Sequence, residues 1–376
     1  MGPSRFRILL LGGYGNFGAR IARRLAGDAG IELVIAGRSA QRAAQLSAAL
    51  AGHCSSTAFD ANGSLALLTS HLREHSPQLV INACGPFQGR DYRLAEAAIA
   101  IGAHYVDLAD ARTYVAGFGR LDAAAHRADV LAVTGASTVP GLTAAVIDSM
   151  RGGLVRIDAI DCGISPGNRT ERGLATVAAI LSYVGRPIQV WRDGRWQPLP
   201  GWQDCGHHRY PEPMGTRWLA ACDVPDLELF PQRYGARAVR FRAGLELSLL
   251  HLGLWSLSWL SRVRLVPDWS RHAALLCRLS RWFGRFGTDV GGMHLSVRGS
   301  NAQGHALERE WMIVAGGGDG PEIPATPAVV LAKKLARGEL AARGARPCLD
   351  LFSLDEFLTA LEGLDIRVTC RTHALR

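Results

Sequence analysis

Residues 5–39 read RFRILLLGGYGNFGARIARRLAGDAGIELVIAGRS, and this stretch decides the fold. The apolar run Ile8 to Leu11 has the length of a strand buried on both faces, and it leads straight into glycines. An amphipathic helical stretch follows from Asn16, and a second apolar run, Ile31 to Ala36, comes after it. Strand, glycine-rich turn, helix and strand in this order form a βαβ unit, which requires a parallel sheet.

Inside the turn, Gly13-Tyr14-Gly15-Asn16-Phe17-Gly18 has the glycine spacing of a dinucleotide-binding fingerprint in the context that fingerprint needs. The first glycine allows a tight turn, the second lets backbone N–H groups approach a pyrophosphate, and the third lets helix and strand pack closely. The helix N-terminus then presents unpaired N–H groups and partial positive charge to the phosphates. All six residues are candidate cofactor contacts.

The second strand ends in Ile35-Ala36-Gly37-Arg38-Ser39. A site for NAD places Asp or Glu here to accept the ribose hydroxyls; Arg38 instead offers two N–H donors to a 2′-phosphate dianion, which a carboxylate would repel. The expected cofactor is NADP(H), with Gly37, Arg38 and Ser39 around the phosphorylated ribose.

Working outward, the alternation continues through TAFDA, SLALLTSHLREH, LVINACG, DYRLAEAAIAIGA, HYVDLAD, GFGRLDAAAHRA and VLAVTGA, giving about six strands. The fold class is α/β: a doubly wound parallel sheet of Rossmann type over residues 1–137, joined to a second domain. Ligands lie beyond the carboxyl ends of strands in such sheets. Asp60 is therefore a candidate to meet the adenine, and Asn82, Cys84, Gly85 and Pro86 to pass near the ribose and nicotinamide. No lysine or histidine stands beside Cys84 in sequence to lower its pKa, so a buried thiol is its plainer reading. Tyr105, Asp107 and Asp110, at the end of another strand, are candidates for a proton relay or substrate anchor. Strand alternation puts Tyr105 and Asp107 on one face. Their structural alternatives are bonding of loop amides by Asp107 and capping of the next helix by Asp110.

Thr138-Val139-Pro140-Gly141 punctuates the chain, and residues 138–322 are expected to form an α+β substrate or dimerisation domain on a mixed sheet. PIQVWRDGRWQPL reads as a hairpin turning at Asp193-Gly194, and MHLSVRGSNAQGHALEREWMIVAGG as two more strands. Residues 323–376 are expected to be C-terminal helices that pack back on the first domain. Within the second domain, residues 244–286 mix Leu, Trp, Phe and Arg. At 17 residues, with Glu246 and His251 inside, GLELSLLHLGLWSLSWL is too short and too polar for a membrane span. Three roles remain open for the region: a peripheral contact with anionic lipid, helices that cover the second sheet or form the face of a homodimer, or the wall of a lipophilic pocket.

Composition narrows the rest. The net charge of +9 comes largely from arginine and suits phosphate groups in general, but the arginines alternate with large apolar residues, which argues against a nucleic-acid stripe. The eight cysteines include no Cys-x-x-Cys pair, so neither a disulfide framework nor a zinc ribbon is indicated. Together with the lack of a signal-peptide layout in residues 1–12, this leads to a cytoplasmic expectation, with possible attachment to a membrane surface through 244–286. Cys205-Gly206-His207-His208 fits no standard ligand spacing, and no metal is expected.

Taken in order, GGYGNFG, IAGRS, VINACGPFQGRDYRLAEAAIAIGAHYVDLAD, TGASTVPGL and GPEIPATPAVVLAKKL resemble the saccharopine dehydrogenase-like family. The resemblance implies a Rossmann domain joined to an α/β domain whose open sheet helps cover the substrate. It also implies hydride exchange between NADP(H) and a carbon centre of an imine, enone or ketone, on a small or lipophilic molecule. A basic cluster for a dicarboxylic amino acid is not evident in the sequence. A Rossmann protein that binds NADP without catalysis is the alternative.

Overall fold

The computed structural model describes residues 5–171 and 173–375. In chain order the first half comprises β1 (Phe6–Leu11), α1 (Asn16–Ala26), β2 (Ile31–Gly37), α2 (Ala40–Ala49), β3 (Cys54–Ala58), α3 (Leu65–His75), β4 (Leu79–Asn82), α4 (Arg93–Ala100), β5 (His104–Asp107), α5 (Arg112–Ala116), α6 (Asp122–Arg127), β6 (Leu131–Thr134) and α7 (Thr143–Met150). There follow β7 (Leu154–Ser165), α8 (Leu174–Tyr183), β8 (Pro187–Arg192), β9 (Arg195–Pro200), β10 (Gly206–Arg209), β11 (Thr216–Ala221), α9 (Asp226–Tyr234), β12 (Ala238–Ala243), α10 (Ser248–Arg262) and α11 (Ala273–Ser280). The chain closes with β13 (Gly291–Asn301), β14 (Ala306–Ala315), α12 (Glu322–Ala336), β15 (Gly344–Pro347), α13 (Leu354–Thr359) and β16 (Ile366–Ala374). Two compact units result: Met1–Ala145 with Glu322–Leu361, and Val146–Pro321 with Glu362–Arg376.

The first unit is built on a seven-stranded parallel sheet in the order β15-β6-β5-β4-β1-β2-β3. Ile8 to Leu11 of β1 are wholly buried between β2 and β4, as an apolar run without alternation requires. Strand order reverses between β1 and β4, so the switch point, where such folds place ligands, lies at their carboxyl ends. Gly12 stands there with φ +72, and a Cβ on it would lie 3.0 Å from both the Ala83 carbonyl oxygen and Cys84 Sγ. The two loops meet at this glycine.

The seventh strand, β15, has no apolar run to announce it. It forms because Gly344 N–H donates to the Val130 carbonyl at 2.9 Å and Cys348 N–H to that of Thr134 at 2.8 Å, which pairs it with β6. The helix α12 packs on α1, where Arg24 donates to Thr326 Oγ1 and to the Ala360 carbonyl, both at 2.5 Å, and Arg20 lies 3.2 Å from Glu322. The partition expected at residues 137 and 322 is corrected in two places. The first unit continues to Ala145, and residues 323–376 are not one helical body, because β16 pairs with β14 and belongs to the second unit.

The second unit carries a mixed sheet in the order β10-β11-β12-β7-β13-β14-β16, with the β8–β9 hairpin branching from β12. That hairpin turns at Asp193 and Gly194, whose φ values of +53 and +73 suit the Asp-Gly pair. On one face Cys162, Ile160, Leu295, Val297, Trp311 and Ile313 are buried, and α9 packs on β12. On the opposite face Asp161, His294, Ser296 and Glu310 stand beside a smaller apolar cluster of Tyr210, Met214, Met312 and Val314.

Candidate functional site

The glycine turn explains itself atom by atom. Gly15 N–H donates to the Gly12 carbonyl at 2.8 Å, which closes the turn. A Cβ at Gly13 would lie 2.8 Å from Ile35 Cγ2, and one at Gly18 would lie 2.1 Å from the Gly12 carbonyl oxygen, so both positions serve close packing. Gly15 is different. It is exposed, and its Cβ would meet only the Gly12 carbonyl at 3.1 Å, so the missing side chain clears space on the outside of the turn. No side chain caps α1 at Gly15, which leaves the Phe17 and Gly18 amides to face an anion.

Tyr14 ties this turn to the end of β2. Its hydroxyl accepts from the Ser39 N–H at 2.9 Å, and its ring lies over Gly37, where a Cβ would stand 2.5 Å from Cε1. The Arg42 guanidinium sits 4.6 Å from the ring centroid on the same shelf. Ser39 caps α2, its hydroxyl accepting from Arg42 N–H at 3.3 Å. Arg38 is exposed at the strand end. Arg38 and Arg90 both act electrostatically on Cys84, as does Asp60, so these four residues converge although the sequence separates them. Asp60 accepts from the Asn62 backbone and side-chain N–H groups, each at 3.0 Å, and thereby shapes its own turn.

Burial pushes the Cys84 thiol up to about 11, against the pull of Arg90 and Arg38. Burial therefore favours the protonated thiol near neutral pH, as a packing group has it. The Gly85–Pro86 peptide is cis. Asn82 organises the base of this loop: its Oδ1 accepts from Cys84 N–H at 3.0 Å, and its Nδ2 donates to the Tyr105 hydroxyl at 3.0 Å.

Tyr105 and Asp107 do share a face, and both are wholly buried. Asp107 Oδ1 accepts from Ala109 N–H at 3.0 Å, Thr134 Oγ1 at 2.8 Å and Gly135 N–H at 2.9 Å, while Oδ2 is buried without a hydrogen bond. Burial raises this carboxyl to about 6, partly opposed by the two backbone N–H groups, by Thr134 and by the Tyr105 hydroxyl. It thus fastens the loops after β5 and β6 to each other. Asp110 is not the helix cap, a position held by Ala111 without a side-chain bond. Its carboxylate accepts from Gln88 Nε2 at 3.3 Å, and burial raises its pKa.

The residues that could hold a dinucleotide phosphate fit NADP: a helix N-terminus with no side-chain cap, a turn cleared of Cβ atoms, and arginine where a carboxylate would exclude the 2′-phosphate. Two further basic residues beside these loops escaped the sequence reading. Arg42 lies one helical turn after Arg38, a spacing that could have revealed it. Arg90 reaches the site only through the loop after β4, and no local signal marks it.

A second polar cluster lies on the sheet of the second unit. The His208 and His294 rings stack with centroids 3.5 Å apart, and the Tyr210 hydroxyl lies 2.9 Å from His294 Nδ1. Gly163 makes the room, since a Cβ there would stand 2.4 Å from the His294 ring. Burial lowers His294 to about 3 and His208 to about 4, so both are neutral near pH 7. Beside them Arg240 and Arg242 share Asp161 at 2.5 and 3.1 Å. Burial opposes charge on Asp161, but the Arg240 hydrogen bonds and the nearby Arg242 hold its carboxyl below the ordinary range. The Cys205-to-His208 run is dispersed accordingly: His207 faces Trp218, His208 faces His294, and Cys205 Sγ lies 3.8 Å from His251 Nε2.

This geometry places the first unit in a known class. Residues 8–137 match the model of the saccharopine dehydrogenase NADP binding domain, in keeping with NADP as the cofactor. The whole chain has the fold of a saccharopine dehydrogenase (L-Glu forming) from Saccharomyces cerevisiae, with a TM-score of 0.67 and 14% identity over 97% of this chain and 99% of that one. An amine dehydrogenase from Mycobacterium smegmatis is also similar, with a TM-score of 0.51 and 12% identity over 93% and 96% of the two chains. No curated protein matches the chain by sequence.

Proposed function

We propose that this chain is an NADP(H)-dependent oxidoreductase that passes hydride to or from an imine, enone or ketone on a small or lipophilic molecule. The carrying observation is Arg38, exposed at the end of β2 beside Ser39 and Arg42, with no carboxylate at that position. Phe17 and Gly18 amides hold the pyrophosphate, while Arg38 and Arg42 pair with the 2′-phosphate. Asn82 fixes the loop that passes the nicotinamide ribose. NADPH, when bound, supplies the hydride. The dehydrogenase relatives of the same fold support this class of reaction without specifying its substrate.

Fluorescence titration tests the reading: NADPH binds far more tightly than NADH, and Arg38→Asp weakens NADPH roughly 10- to 100-fold while sparing NADH. Equal affinities for the two cofactors would overturn it. A second reading, NADP binding without catalysis, is favoured by the engagement of Tyr105 and Asp107 in buried structural bonds. Tight NADPH binding with no oxidation across a panel of imines, enones and ketones would select that reading, and one productive substrate would exclude it.

A further inference from the structure

The helix α10 is inside out. Its buried positions are His251, Ser258 and Ser261, whereas Leu249, Leu252, Trp259, Leu260 and Val263 are exposed, Leu249 by 68% and Val263 by 60%. At helical spacing these exposed residues form a single stripe. The inversion is built in. Gln203 Nε2 donates to Ser258 Oγ, Ser261 Oγ donates to the Val266 carbonyl at 2.9 Å, and Leu245 N–H donates to His251 Nδ1 at 3.4 Å. Rotating the helix to bury its leucines would break the bond from the distant Gln203 to Ser258 and expose the buried His251 ring.

The next segment repeats the pattern. A 3-10 turn at Trp269–His272 is tied to α10 by Trp269 Nε1, which donates to the Leu257 carbonyl at 3.1 Å. Beyond it Leu275, Leu279, Trp282 and Phe286 are exposed, Trp282 by 74%. Soluble surfaces rarely carry so many large apolar groups in one region unless something covers them.

Charge identifies what covers it. From residue 247 to 287 the chain has Arg262, Arg264, Arg271, Arg278, Arg281 and Arg285, but Asp268 as its one acidic residue. Asp268 is engaged with Ser270 and lies 3.6 Å from Arg186, and among the described residues none of the six arginines has an acidic partner at ion-pair distance. Two of them instead lie over exposed rings, Arg262 over Trp259 and Arg285 over Phe286. A second copy docked symmetrically would offer these arginines the same patch, whose one acidic residue, Asp268, is already engaged. An anionic lipid surface neutralises them while taking up the leucines and tryptophans at headgroup depth.

We propose that residues 248–286 are a docking surface for an anionic phospholipid bilayer, on which the protein lies without crossing. No helix among the described residues is long and apolar enough to span a membrane. The proposal does not depend on the oxidoreductase reading.

Cosedimentation of the full chain with vesicles tests it. The chain binds vesicles of phosphatidylcholine with phosphatidylglycerol, binds vesicles of phosphatidylcholine alone far less, and is released by added salt. The double variant Arg278→Gln with Arg281→Gln lowers partitioning roughly thirtyfold, and Trp282→Ser with Leu249→Ser abolishes it. All four residues are exposed, and an unchanged circular dichroism melt shows that the variants fold. Equal binding to both vesicle types, or no binding to either, overturns the proposal. So does a concentration-dependent dimer that these substitutions dissolve while the parent ignores vesicles.

Discussion

Replacing Asp107 by Asn separates a structural role from a catalytic one. The side chain is fully buried, and one oxygen accepts three hydrogen bonds from the loops after β5 and β6. Burial moves its carboxyl from the ordinary 3.8 to about 6. The folded chain therefore holds this proton more tightly than the unfolded chain does. The stability it contributes is complete below about pH 4 and is lost as pH rises through about 6, by roughly 3 kcal/mol at most. Asn keeps the accepting Oδ1 and stays neutral at every pH. The wild type should thus lose about 3 kcal/mol relative to Asp107→Asn between about pH 4 and pH 7. Urea unfolding, read by hydrogen exchange of β5 and β6 amides, measures that difference, in which other titrating groups cancel. Identical pH profiles for the two proteins would refute the reasoning. Loss of NADPH turnover in a variant of unchanged stability would do so as well, and would return Asp107 to the proton-relay role.

Three further outcomes follow from the geometry. Arg42→Gln, removing one of the two arginines proposed to pair with the 2′-phosphate, should weaken NADPH by roughly fivefold to tenfold in titration and leave NADH unaffected. In Gly18→Ala the new methyl would stand 2.1 Å from the Gly12 carbonyl oxygen, a contact the backbone must open; calorimetric titration should find NADPH binding lost, and near-parental affinity would show that the turn yields easily. The low pKa values of His208 and His294, set by burial, mean that the unfolded chain takes up protons below about pH 6.5 that the folded chain refuses until about pH 4 and below. The second unit should therefore lose stability as pH falls through this window, and His294→Phe should flatten the loss seen in acid unfolding.

The local text of residues 5–39 determined the first unit because its signals are short-range. An apolar run fixes a buried strand, three glycines fix a turn that only they can make, and Arg38 fixes the charge at the strand end. The Asp193-Gly194 hairpin was legible for the same reason. What the sequence could not express depends on partners distant along the chain. The strand Gly344–Pro347 exists because β6 offers its edge, and Ile366–Ala374 joins the second unit because β14 does. For Asp107 the sequence left proton relay and loop bonding open, and its three donors, two of them more than 25 residues away, appear only in the fold. The stacking of His208 on His294 needed Gly163 from a third strand. Composition alone left residues 244–286 open between lipid, dimer face and pocket wall. Only the folded chain decided which face α10 turns outward, because Trp202 and Gln203, distant in sequence, bond to His251 and Ser258 on its buried face.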